Sequence, residues 1–160
     1  MIIGLLVLGI VMTPYDTEAV EQSENLYFWH KSFGILVFIL MLARLAVKLR
    51  SEIPELPSGL PKHEVLASNL THKLLYILAI LVPVLGYIQS STYEYSSGVH
   101  FFFFELPELL PDNKQHFDLA NLVHRICGYA LLFFIVLHVA GALKHRFLDK
   151  KENDVLGRML

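Results

Sequence analysis

Eight histidines occur in a chain of 160 residues of which 54% are hydrophobic. Five of them, His30, His72, His124, His138 and His145, stand at the ends of apolar runs or inside them. Ionisable side chains are costly in such runs when lipid surrounds them, and they mark functional positions by default. His124 and His138 are fourteen residues apart. At ~1.5 Å per residue this is ~21 Å along a helix, and fourteen steps of ~100° end ~40° short of a full turn. Both rings therefore point to one face, at two depths. Neutral imidazole can bind a metal without carrying net charge into lipid. Haem iron in electron-transfer proteins takes axial histidines, and two of them leave no open position for oxygen. One helix offering two imidazoles at two depths suits two haems stacked across a membrane.

The elements that must position these rings are apolar helices. Residues 1–13 are apolar and stop at Pro14, which is too short for the ~20 residues a spanning helix needs. They read as the second half of a transmembrane helix whose first half is missing. Residues 28–49, 69–89 and 120–146 are full spans. Between them lie a polar loop with Pro54, Pro57 and Pro61, and a long connection over 90–119 carrying Phe101, Phe102, Phe103 and Phe104. The phenylalanine run is expected at the membrane interface, where aromatic segments settle. Pro83 and Gly86 fall inside the third span, and membrane helices tolerate both. The fold class is an all-α membrane protein, a four-helix transmembrane bundle with a truncated first helix, in a single domain.

Lysine and arginine placement sets the expected orientation. Arg44, Lys48, Arg50 and Lys62 flank the second loop, and Lys144, Arg146, Lys150, Lys151 and Arg158 lie at the C-terminal end. The first connection carries Asp16, Glu18, Glu21 and Glu24 with no basic residue. The third carries Glu94, Glu105, Glu108, Asp112 and Asp118 against Lys114. Both basic segments, and both chain ends, are expected in the cytoplasm. The formal net charge of −2 gives no nucleic-acid footprint. The single cysteine, Cys127, can form neither an internal disulfide nor a thiolate metal cage.

Depth pairs the imidazoles. His30 and His124 open their spans on the outer side and can bracket an outer haem. His138 lies about two turns from the inner end of its span. Its natural partner belongs on the first span; His72 is the other inner candidate, placed about a turn shallower. For His72 three roles stay open: iron ligand, quinone-site group, or neighbour of a haem propionate. Lys31, Lys73 and Arg125 each adjoin one of these histidines. Snorkelling to the interface explains Lys73, whereas charge-assisted pairing with a propionate suits Arg125 better. Gly34 and Gly128 each lie four residues after a histidine, on its face, where a missing side chain admits a flat macrocycle. A lone helix-end histidine such as His145 is more simply an interface residue.

The segments HKSFGILVFILMLARL, THKLLYILAILVPVLGYI and LVHRICGYALLFFIVLHVAGALKH resemble the second, third and fourth helices of the bacterial cytochrome b561 family. The resemblance covers almost the whole chain. It implies a four-helix di-haem b protein of the bacterial inner membrane that exchanges electrons with the quinone pool. Some members oxidise superoxide on the outer side with ubiquinone as acceptor. The implied outer-haem ligands are His30 and His124, and one inner-haem ligand is His138. The family's other inner ligand belongs to a His-Trp motif early in the first helix, which is absent here, so the inner haem is left one ligand short. His72 matches a family histidine that is not taken as an iron ligand. The expected function is electron transfer between an outer donor, superoxide being the most concrete, and quinone. The alternative is an anchor subunit fed by a partner hydrogenase or dehydrogenase. A haem-free structural membrane protein is the third reading, and a visible spectrum separates it from the others.

Overall fold

The computed structural model describes residues 1–12, 20–52, 60–96 and 98–149, with the side chains of 20–24 left aside. Pro14, Asp16, Glu18, Pro54, Pro57, Lys150, Lys151 and Arg158 fall outside the described residues, as do the side chains of Glu21 and Glu24.

Four helices are seen among the described residues: α1 (Ile2–Val11), α2 (Val20–Arg50), α3 (Lys62–Ser91) and α4 (Lys114–Phe147). The last three contain stretches long and apolar enough to cross a membrane: Asn25–Arg50, Lys62–Ser91 and Lys114–Phe147. Helix α1, ten residues long, does not reach that length. The long helices run past the apolar spans, and side chains cap the start of α4 and the end of α3. Asn113 accepts a hydrogen bond from the His116 amide at 3.0 Å and starts α4. Lys144, His145 and Arg146 lie in its last turn, where the helix dipole favours cations. Thr92 ends α3 by turning its hydroxyl back onto the Ile88 carbonyl at 2.8 Å.

The interior is thin. Leu78, Ala79 and Leu131 form a buried cluster joining α3 to α4, with Ile2 and Leu6 of α1 and Met41 of α2 packed against it. Many apolar side chains face outward instead, including Ile39, Leu40, Ile77, Phe133 and Val136. An outward apolar face on every long helix is what a lipid solvent requires, with the backbone satisfied within each helix.

One feature departs from the helical expectation. The connection between α3 and α4 holds a two-stranded antiparallel hairpin, β1 (Val99–Phe101) and β2 (Phe104–Leu106). Its register pairs Phe101 with Phe104, which leaves Phe102 and Phe103 as a two-residue turn. Phe102 has φ 50°, the positive value that a two-residue hairpin turn demands. A bulky residue held there costs about 1–3 kcal/mol and persists only where its surroundings enforce it. The phenylalanine run is thus a strand–turn–strand with alternating faces, and Phe103 at its tip is 98% exposed.

The candidate haem-binding site

Helices α3 and α4 are antiparallel, and their register sets the site. Gly86 of α3 faces His124 of α4: a Cβ at Gly86 would lie 3.1 Å from the His124 Cε1. Fourteen residues back along α3 stands His72, and fourteen forward along α4 stands His138. Equal rise on opposite courses brings those two rings together, with centroids 5.0 Å apart and planes at 70°. His72 therefore meets His138 at one depth. The shallower placement expected for it came from starting the helix near residue 69, whereas α3 begins at Lys62.

At the other end His30 of α2 meets His124, with ring centroids 6.3 Å apart and planes at 76°. His124 Nδ1 lies 2.9 Å from the Val82 carbonyl. A carbonyl only accepts, so Nδ1 carries the proton and Nε2 keeps its lone pair. Val82 is one turn before Gly86 on α3, and the missing side chain at 86 lets the ring reach that carbonyl. His30 Nδ1 is buried without a hydrogen-bond partner among the described residues. The His30 ring rests against α1, where a Cβ at Gly9 would lie 3.3 Å from its Cε1.

The two ends are framed differently. At the His30–His124 end, Lys31 donates to the Gly98 carbonyl at 2.8 Å. Ser32, fully buried, accepts from the Phe102 amide at 3.0 Å and donates to the His100 carbonyl at 3.4 Å. Tyr87 donates to the Pro107 carbonyl at 2.6 Å and accepts from the Leu109 amide at 3.1 Å. The hairpin and the segment after it are thereby fastened to α2 and α3. At the His72–His138 end the fastenings carry charge. Lys144 pairs with Glu64 at 2.5 Å, and His145 lies 2.7 Å from Asp149 and 3.6 Å from Glu64. Arg44 donates to the Tyr76 hydroxyl at 3.2 Å, and the Lys48 ammonium sits 4.1 Å above the Tyr76 ring.

The expected residues sort clearly on this frame. His30 is brought to His124, and His138 to His72. Gly34 has nothing within 4 Å of where its Cβ would point, so that side of α2 is open. Gly128 faces Leu6 of α1 at 4.0 Å, an ordinary packing contact. Arg125 is exposed beside His124, and Lys73 is exposed beside His72. Lys31 is engaged by the hairpin backbone. His145 belongs to the charged cluster with Glu64 and Asp149 rather than to a ring pair. Sequence reasoning missed the parts played by Gly9, Gly86, Val82 and Ser32. The fourteen-residue interval shared by His72/Gly86 and His124/His138 was the available signal for Gly86.

The profile for "Prokaryotic cytochrome b561" matches residues 1–160. The chain belongs to the prokaryotic cytochrome b561 family. It is 34% identical over 161 residues to cytochrome b561 homolog 2 of Escherichia coli K12, covering 98% of this chain and 81% of that relative. It is 30% identical over 130 residues to cytochrome b561 homolog 1 of the same organism, covering 81% and 72%. It is 31% identical over 135 residues to the probable superoxide oxidase CybB of Yersinia pestis, covering 81% and 72%. The chain is a multi-pass membrane protein of a bacterial electron-transfer family, and the family implies haem b.

The residues present fit that group. A ligating imidazole almost always donates its other ring nitrogen to a carbonyl or carboxylate, which fixes tautomer and orientation. His124 does this through Val82. His30 offers a buried nitrogen without a protein partner, and glycines leave room beside both rings. Two neutral donors from different helices are the set that b-type haem takes.

Proposed function

We propose that this cytochrome b561 family member carries electrons through haem b held by His30 and His124, between a donor on the hairpin side and the quinone pool. The observation that carries the reading is the opposed ring pair, with one ring set by the Val82 carbonyl. Bound haem supplies one-electron chemistry at iron, while the protein provides ligation, spacing and electrostatics. His124 holds its tautomer through Val82. Gly9 and Gly86 keep bulk away from the ring edges. The hairpin covers the outer end of α2, and the outward apolar faces keep water from the interior.

His138 offers a second ligand at the basic end, with His72 in ring contact beside it. A second haem there would put two redox centres at the two depths that His124 and His138 define. The basic residues flanking that end favour the cytoplasmic side of the bacterial inner membrane for it, and with it for both chain termini.

Superoxide is the most concrete donor, since one relative is named a probable superoxide oxidase. Arg125, exposed beside His124, supplies a local positive charge for a small anion. Stopped-flow mixing of the purified protein with superoxide and a soluble quinone tests this. Haem reduction followed by quinone-dependent reoxidation is expected; haem that superoxide does not reduce would remove superoxide as the donor. A second reading, an anchor subunit fed by a partner dehydrogenase or hydrogenase, draws on Phe103 and Phe104, exposed at the hairpin tip. Copurification of a redox partner would favour it.

A further inference from the structure

The two imidazoles of the hairpin-end pair are oriented by different means. His124 is held by its own ring nitrogen on Val82. His30 has no such bond among the described residues, because its Nδ1 is buried and unpartnered. Its plane and depth must therefore be set by where the backbone of α2 sits and by the ring's packing against Gly9.

What holds α2 there is the hairpin. Ser32 follows His30 by two residues, and two steps of ~100° turn it ~200° around the helix, to the side facing away from the ring. From that side its buried hydroxyl bonds both the Phe102 amide and the His100 carbonyl, one on the turn and one on β1. Lys31 adds the bond to Gly98, just before β1. Phe28 lies against the His100 ring at 5.5 Å, and Phe33 against the Phe102 ring at 5.3 Å. Residues on both sides of His30 in the sequence thus grip one small element. That element is itself held in a fixed shape, with Phe102 at positive φ and Ser32 on its amide.

We propose that Ser32, with Lys31, is a positioning residue for His30: the hairpin fixes the turn of α2 that carries the ring and so sets the angle between the His30 and His124 planes. This rests on the reading of those two histidines as haem ligands. Its consequence is that the hairpin, which contacts neither ligand's ring nitrogens, tunes the electronic state of the site from behind the helix.

The test uses the full-length protein in detergent, with low-temperature electron paramagnetic resonance of the oxidised haem and a potentiometric titration. The largest g value of low-spin ferric haem depends on the angle between the two axial imidazole planes. Ser32→Ala should shift that g value and the midpoint potential of the His30-dependent signal. Ser32→Thr, which keeps a hydroxyl, should return both toward the native values. Lys31→Met should shift them in the same direction by less, and it leaves the buried hydroxyl in place should Ser32→Ala not fold. Unchanged spectra and potentials in Ser32→Ala and Lys31→Met, with haem retained, would overturn the positioning role. A different failure is separately visible: if His30→Ala keeps the same haem signal, the ligand reading itself is wrong.

Discussion

The two ends of this bundle present the same motif, an imidazole pair between helices, in two different settings. At the hairpin end the rings of His30 and His124 are framed by hydrogen bonds to backbone, from the neutral side chains of His124, Ser32 and Tyr87 and from the Lys31 ammonium. At the basic end the ring pair of His72, which is exposed, and His138 is accompanied by charged groups: Glu64, Lys144, His145 and Asp149 toward the helix ends, and Arg44 and Lys48 on Tyr76. Bonds to backbone fix direction, because amide and carbonyl groups are themselves locked in helix and strand. Ion pairs between long side chains fix proximity but leave more freedom, and they weaken with salt. The first setting suits a site whose ligand angles must be constant; the second suits an end that adapts to what binds there.

The contrast can be broken most forcefully by removing one ring from each end. On the proposed ligand assignment, His124→Ala is expected to abolish the hairpin-end haem, and His138→Ala any haem held at the basic end, each without the other, by haem-to-protein ratio and reduced visible spectra. One substitution emptying both ends would mean the ends are not independent. A smaller effect is expected from His72→Ala. Haem bound at the basic end should be kept with a shifted spectrum, and a loss equal to that of His138→Ala would instead make His72 a ligand.

Next comes Gly86→Val. The added branches enter where a Cβ alone would already stand 3.1 Å from the His124 ring, and they press the ring off the Val82 carbonyl. Losing such a supporting bond typically weakens metal retention by about 10–100-fold. Competition for haem with an apo-globin should show that loss at the hairpin end only. Gly34→Val makes the opposite case, since nothing protein-derived stands in its way. The haem-free chain should keep its thermal midpoint, and a loss of haem affinity would report contact between α2 and the macrocycle.

The smallest effect is expected from Glu64→Gln, which removes the charge of the nearer of two carboxylates on Lys144 at the α3–α4 junction and leaves Asp149. A solvent-exposed pair contributes little, so only a small fall in the thermal midpoint is expected. That fall should shrink between ~0.1 and ~1 M salt, as the screening length drops from ~10 to ~3 Å. Ser32→Ala should show no comparable salt dependence.

The long helices and the pairing of His30 with His124 were legible in the sequence because hydrophobic length and histidine depth are both linear quantities. Span ends were less so: α3 reaches back to Lys62 and α4 to Lys114, since polar residues outside the apolar core still satisfy helical backbone. That extension is why His72 was placed too shallow. The hairpin was hidden for another reason. Four consecutive phenylalanines read as one apolar patch, whereas the turn at Phe102 and Phe103 splits them between two strands. Its enforcement comes from Ser32, about seventy residues away, and no local pattern carries such a bond. Gly34 and Gly128 were picked by spacing from a histidine on the same helix; the glycines that touch imidazoles, Gly9 and Gly86, lie on neighbouring helices.

The shared interval of fourteen residues has a consequence for how this chain can vary. Substitutions on the outward faces of α3 and α4 leave the phase between the helices untouched. Deleting or inserting one residue between His124 and His138, or between His72 and Gly86, rotates everything beyond it by ~100°. One ring pair then stays closed while the other is turned out toward lipid. The two helices are locked to a common count, so a change of length in one is survivable only with the matching change in the other.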